Sequence, residues 1–435
     1  MTASALPERW TRAALQARGE TSAIHDALFV LWIATIAADR IDLTGGAAGF
    51  LLTPFLALTP IVAASEILRR TLRRRPMVIT RSALAFIFVV LALLAVIGAS
   101  VYVSTDTTTS ASRALLLGAQ VLGTTTVVLA VFDRSELRFV MDRGAVAGLL
   151  LFALFDLLQI AVLLGLVPQL VHFGPATADL MPSTYGGIVP RLSGTVVDQN
   201  RAGLVLVFYG WAVAWRRPLR PRRNFLGLIV VLALATLSRS ALTTALATIT
   251  VLALERRLGA LTARSLLVAC AAIVAVLATL LISPTLRENA GRSLEPLTQR
   301  LSFEEGSSQV HFTLIERGFK TGTESVARVF VGLGYGSGFT VLQDVFPGNR
   351  YASFHSLYVT MFAECGVFGL LLILVLVVTP LVRGGPYRAL VAGAAVFNLF
   401  YQATNDPAFW MILAMAWLSI PPRRRLMRRA TADPG

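Results

Sequence analysis

Three side chains in this sequence combine useful chemistry with an unusual address: Arg191, Arg239 and His355. Arg191 stands in VPRLSGTVVDQNRAG, just before an apolar run, and Asn200 closes the same element. Arg239 sits between Ser238 and Ser240 in the middle of another apolar stretch, with no acidic residue within fifteen positions. An arginine at a membrane edge is costly, so it either snorkels to water or is paired or functional. A guanidinium stays charged and offers phosphate a planar, bidentate fork. His355 opens the run FHSLYVTMFAECGVFGLL and is followed by Ser356. Its imidazole can take up and return a proton near neutral pH, the property needed to activate a hydroxyl. Arg317 and His311 lie upstream in the same polar segment, and a glycine-rich stretch, GLGYGSG at 332–338, stands between them and His355. Its glycines fall at 332, 334, 336 and 338 and follow no parallel strand, so it reads as a tight backbone bend and not as a dinucleotide fingerprint. Asp406, in the short loop TNDP, can either cap that loop or orient and charge-balance an arginine. Cys270 and Cys365 both fall in apolar runs, and no HExxH or GKS/GKT signature occurs. Glu304 and Glu305 are adjacent acids without metal-ligand spacing, so neither a metal nor a cofactor is expected.

The elements that must position these residues are apolar. Of 435 residues, 55% are hydrophobic and 14% charged, with a mean hydropathy of +0.70. The apolar residues come in runs long enough for a hydrocarbon core of roughly 30 Å. Backbone in that environment must satisfy itself, which makes the runs helices. Twelve spans are expected near 24–40, 45–68, 82–103, 113–132, 144–170, 201–215, 224–238, 240–254, 265–283, 356–380, 387–404 and 406–420. The fold class expected is therefore all-α, a polytopic transmembrane helix bundle of about twelve spans. One large outer loop would form a small helical ectodomain, with an amphipathic helix over 310–330. The division is 1–283 for nine spans, 284–355 for the loop, 356–420 for three spans and 421–435 for a basic tail.

The net charge of +15 is a topology signal before it is anything else. On the twelve-span layout, 27 of the 39 basic residues fall in the segments on the N-terminal side. Basic residues in short loops mark the cytoplasmic face, so both termini are expected there. The remaining charge suits anionic membrane lipids, and nucleic acid is not an expected partner.

In order and type, these residues resemble the bacterial O-antigen ligase and O-antigen polymerase superfamily. The likeness runs over roughly 190–370: Arg191, Ser193, Gly194 and Asn200; Ser238 with Arg239; Gly332, Gly334 and Gly336; and His355, Ser356, Glu364, Gly366 and Gly369. Ser356 stands where the family has an asparagine, and Arg317 is the nearest match to a further family arginine. The resemblance implies a metal-independent, inverting glycosyltransferase in a bacterial inner membrane. It would move a glycan from an undecaprenyl-pyrophosphate, lipid-linked oligosaccharide donor to a glycan or lipid acceptor, as a surface polysaccharide ligase or polymerase. His355 would then be the catalytic base, and Arg191, Arg239 and Arg317 would bind pyrophosphate. Asn200, Ser356 and Asp406 would support them. The alternative from another class is a twelve-span secondary transporter or a lipid or glycan flippase, for which Asp156 is the one acid deep in a span.

Overall fold

A computed structural model of the chain describes residues 23–45, 51–72, 79–132, 137–185, 189–216, 228–236, 238–254, 306–350 and 352–420, with Arg74 and Met77. The expected span at 265–283 and the terminal segments lie outside these residues. Among the described residues the helices are α1 (Ala23–Ala34), α2 (Pro54–Leu72), α3 (Arg81–Val101), α4 (Thr107–Val131), α5 (Leu137–Leu163) and α6 (Gln199–Arg216). After a helical stretch at 228–235 come α7 (Arg239–Leu254), α8 (Gly306–Thr323), α9 (Val326–Val331), α10 (Leu357–Arg383), α11 (Arg388–Phe400) and α12 (Pro407–Leu418).

The twelve-span expectation is corrected. Four helices among the described residues, α3, α4, α5 and α10, are long and apolar enough to cross a membrane. Those four agree with a multi-pass membrane protein. Others are apolar but short: α1, α7, α11 and α12. The reason is legible in α12, PAFWMILAMAWL, whose 12 residues are all buried. At 1.5 Å per residue it reaches about 18 Å, well short of the roughly 30 Å of a hydrocarbon core. A helix that is apolar all round can be wrapped by protein as readily as by lipid. Here α3, α4, α6, α10 and α11 surround it, and the Trp417 indole donates to the Leu376 carbonyl at 2.8 Å. By contrast α10 shows two faces. Phe368, Leu371, Val375, Val378 and Val382 are exposed, while Gly369, Ile373, Leu376 and Val377 are buried.

A second correction concerns strands, which were not expected. β1 (Ile41–Asp42), β2 (Leu170–Phe173) and β3 (Ala176–Asp179) form an antiparallel sheet in the order β1-β3-β2. Gly174, at φ +63°, and Pro175 make the two-residue turn between β2 and β3, with Phe173 opposite Ala176. A separate hairpin pairs β4 (Ser183–Tyr185) with β5 (Val189–Arg191), and its last register pair is Ser183 with Arg191. The protein is thus all-α with a small open sheet. The helix expected over 310–330 is two helices, α8 and α9, with Ser325 capping the second through the Arg328 amide.

Candidate functional site

The segment from Arg191 to Arg201 is held in place by buried polar groups that are distant in sequence. Asp156 on α5 accepts from the Gly194 amide at 2.7 Å, which gives that acid a structural task. Gln159, one turn on, accepts from the Ser193 amide and donates to the Gly194 carbonyl. Gly194 itself has φ +56°, and a Cβ there would run into the Phe152 ring. Arg40 is buried and donates to the carbonyls of Val196, Asp179 and Met181 and to Ser193 Oγ. A guanidinium spread over four acceptors is a clamp for this loop. Asp39 completes the anchoring by accepting from the Val197 amide at 2.7 Å.

At the end of this segment several helix N-termini meet. Asp198 accepts from the amides of Asn200 and Arg201 and so caps α6. Ser238 accepts from the Ala241 amide and caps α7, while Asp406 accepts from the Ala408 amide and caps α12. These caps are tied to one another by side chains. Asn200 Oδ1 accepts from Ser238 Oγ at 2.9 Å and from Ser240 Oγ at 3.1 Å, joining α6 to the tip that carries Arg239. Arg201 reaches Asp39 at 2.5 Å and Asp406 at 3.4 Å. Arg191 is buried and donates from Nε to the Thr236 carbonyl at 3.1 Å, two residues from Ser238. Arg239, first residue of α7, is half-buried. Burial holds the Asp406 carboxyl above its ordinary pKa, with Arg201 opposing.

His355 stands at the start of α10 beside this cluster. Its backbone is left-handed, φ +52°, a conformation that costs a non-glycine residue about 1–3 kcal/mol and that clusters at functional sites. His311 of α8 meets its ring edge-on with centroids 4.3 Å apart, and the Tyr401 ring lies 6.2 Å away. Tyr401 in turn hydrogen-bonds Asp198, and burial together with that carboxylate pushes its hydroxyl pKa well up. His355 Nδ1 is buried and has no hydrogen-bond partner among the described residues. Burial lowers the imidazole pKa, with Asp198 pulling the other way, so the neutral ring is favoured. Ser356 is buried in the N-cap position of α10 without capping it; its hydroxyl donates to the Asn398 carbonyl at 3.3 Å.

Arg317 sits elsewhere. It pairs with the exposed Asp344 at 2.5 Å, away from the face of α8 that packs on α10. That packing face carries His311, Leu314, Gly318 and Gly322; a Cβ on Gly318 would meet Phe354 and Val359, and one on Gly322 would meet Phe362. The α8 residue brought to His355 is therefore His311.

The glycine bend is a wedge between helices. Glu364 of α10 accepts from the Gly336 and Gly338 amides at 2.7 and 2.9 Å. On the other side Ser100 accepts from the Tyr335 amide, Ser110 donates to the Tyr335 carbonyl and Arg113 donates to the Gly336 carbonyl. Gly366, at φ +68°, breaks α10 where Phe330 and Val331 press against it. Cys365 is fully buried here, 3.7 Å from Ser100 Oγ, while Cys270 lies outside the described residues.

The structure thus gathers Arg191, Asn200, Ser238, Arg239, His355 and Asp406 at one end of the bundle and adds Asp39, Asp198, Arg201, His311 and Tyr401. Sequence reasoning assigned these last five no functional role. For all but His311, which lies in the polar segment with Arg317, the one local signal is a polar residue at the edge of an apolar run. No protein-family model matches the chain, and no curated protein matches its sequence. With four long apolar helices among the described residues in place of twelve, and no matching family, the expected O-antigen ligase or polymerase glycosyltransferase is not upheld. The twelve-span transporter or flippase falls with the same count.

Proposed function

We propose that this multi-pass membrane protein binds a phosphate-bearing, lipid-linked ligand at the cluster around His355. The observation that carries the proposal is the convergence of the starts of α6, α7, α10 and α12 beside Arg191 and Arg239. Helix N-termini are the positive ends of helix dipoles and suit anions, and arginine adds a fork that matches phosphate. The acids of the cluster, Asp39, Asp198 and Asp406, are engaged in caps, on the Val197 amide and on Arg201. His355, kept neutral by burial, supplies an acceptor for a ligand hydroxyl. The position at the ends of apolar helices suits a ligand that arrives in the membrane. Kinship with the O-antigen ligase and polymerase superfamily belongs to this proposal at the level of residue pattern alone.

The membrane we assign is a bacterial inner membrane, with both chain termini cytoplasmic and the site on the opposite face. Arg81 at the start of α3, Arg143 near the start of α5 and Arg383 in the last turn of α10 stand at the helix ends away from the site, and basic residues at span ends mark the cytoplasmic face. The test is binding of farnesyl pyrophosphate to the purified protein in lipid nanodiscs, followed by native mass spectrometry. Farnesyl pyrophosphate should bind and farnesol should not. Equal binding of both, or of neither, would overturn the reading.

A further inference from the structure

The α8–α9 pair was expected to be an ectodomain in water, and its exposed surface says otherwise. Val326 is 76% exposed, Phe330 49% and Val331 39%. On α8, Phe312 and Phe319 are exposed and lie seven residues apart, which puts them on one helix face. Isolated exposed apolar residues need no explanation, but these join a larger surface. Phe330 packs on Phe368 with centroids 6.1 Å apart, and Phe319 on Phe362 at the same separation. Phe368 opens the exposed stripe of α10 that continues through Leu371, Val375, Val378 and Val382.

Depth follows from helix rise. Arg383, in the last turn of α10, is the basic anchor expected at one membrane edge. Phe368 precedes it by fifteen residues, hence by about 22 Å at 1.5 Å per residue. That lies inside a hydrocarbon core of roughly 30 Å. Phe330 touches Phe368 at this depth. We infer that α9 is inserted in the acyl-chain region of the leaflet at the His355 end, with Val326, Phe330 and Val331 facing lipid. α8 lies beside it at headgroup level, held there by Glu316, Arg317 and Lys320. The occupant of this surface is lipid, because the surface is continuous with the lipid-facing stripe of a spanning helix. The device also gives His311 a membrane-anchored platform from which to contact His355.

The test uses the full chain in nanodiscs with one cysteine added at a time, Val326→Cys, Phe330→Cys and, as a water-exposed control, Pro347→Cys. Each is treated with an environment-sensitive thiol fluorophore, and the parent, which keeps Cys270 and Cys365, is treated identically to give the background. At 326 and 330 the emission should shift to the blue and lose most of its intensity when acyl-chain spin-labelled lipids replace ordinary ones. Aqueous iodide should quench the control and spare both sites. Iodide quenching at 326 would place α9 in water and overturn the inference. A blue-shifted probe untouched by spin-labelled lipid would mean protein covers the surface, and would overturn it equally. Val326 is exposed, so its substitution leaves packing intact, and Phe330 provides the independent second site.

Discussion

Arg201 and Asp406 are 205 residues apart in the chain, and Nε of the one stands 3.4 Å from Oδ2 of the other. Asp39 holds the same guanidinium at 2.5 Å. One part-buried cation therefore joins the turn after α1, the start of α6 and the cap of α12. Removing it strands two buried carboxylates, a loss of about 3–5 kcal/mol for a broken buried pair. Arg201→Ala should lower the unfolding temperature of the detergent-solubilised protein markedly. Asp406→Asn should cost less, since it keeps a cap oxygen for Ala408 and leaves Asp39 on Arg201. Intrinsic tryptophan fluorescence on heating would rank them, and an Arg201→Ala protein as stable as the parent would remove the network from the stability account.

Glu364 offers a sharper test of a single contact. Its carboxylate accepts two amides from the glycine bend, while a glutamine can accept at one oxygen only. Glu364→Gln leaves an amide facing an N–H donor and should cost about 1–3 kcal/mol. Gly332→Ala should be worse, because φ is +77° there and the added carbon meets the Glu364 and Cys365 backbone. Limited proteolysis of the 332–338 bend would follow each variant; equal protection in parent and Glu364→Gln would show that the bend does not depend on the carboxylate.

How much of this was readable in the sequence depends on the range of each interaction. Arg191, Ser238, Arg239 and His355 declare themselves locally, as polar residues set in apolar surroundings. Asn200 binding Ser238, or Asp406 binding Arg201, involves partners 38 and 205 positions away, and no local pattern reports that. The same limit explains the span count. Hydropathy measures transfer out of water, and it scores α12, enclosed by protein, as it scores α10, which is exposed along one side. The sheet was missed because β1 is two residues long and pairs with β3 across 137 positions, from Ile41 to Ala178 in one register pair. Gly174-Pro175 was the one available sign, a turn pair between short alternating segments.

The proposed phosphate site makes a separate demand on its arginines. Arg191→Ala and Arg239→Ala should each weaken farnesyl pyrophosphate binding by about tenfold or more, as loss of a charge-assisted bond of about 1.5–3 kcal/mol implies. Lysine at either position should restore part of the affinity, keeping charge without the fork. Arg317→Ala should leave binding unchanged, because its guanidinium is exposed and pairs with Asp344. Affinity lost in Arg317→Ala and kept in Arg191→Ala would move the site.

The last expectation follows from the proton balance at His355. Burial sets its folded pKa below the unfolded value of about 6.5, so the unfolded chain binds more protons between the two values. Stability then rises with pH across that window. It falls as the solution is acidified below about 6.5, until the folded pKa is also passed. The groups facing the ring are His311, Tyr401 and Asp198, of which Tyr401 is pushed too high to titrate here. His355→Gln has no proton to gain, so it should flatten the pH dependence of the unfolding temperature below about pH 6.5. His311→Gln serves as the control for the second imidazole and should leave the His355 component of the slope in place. An identical slope in parent and His355→Gln would show that His355 is not the group protonated on unfolding, and its neutral ring could no longer be argued as the acceptor in the site.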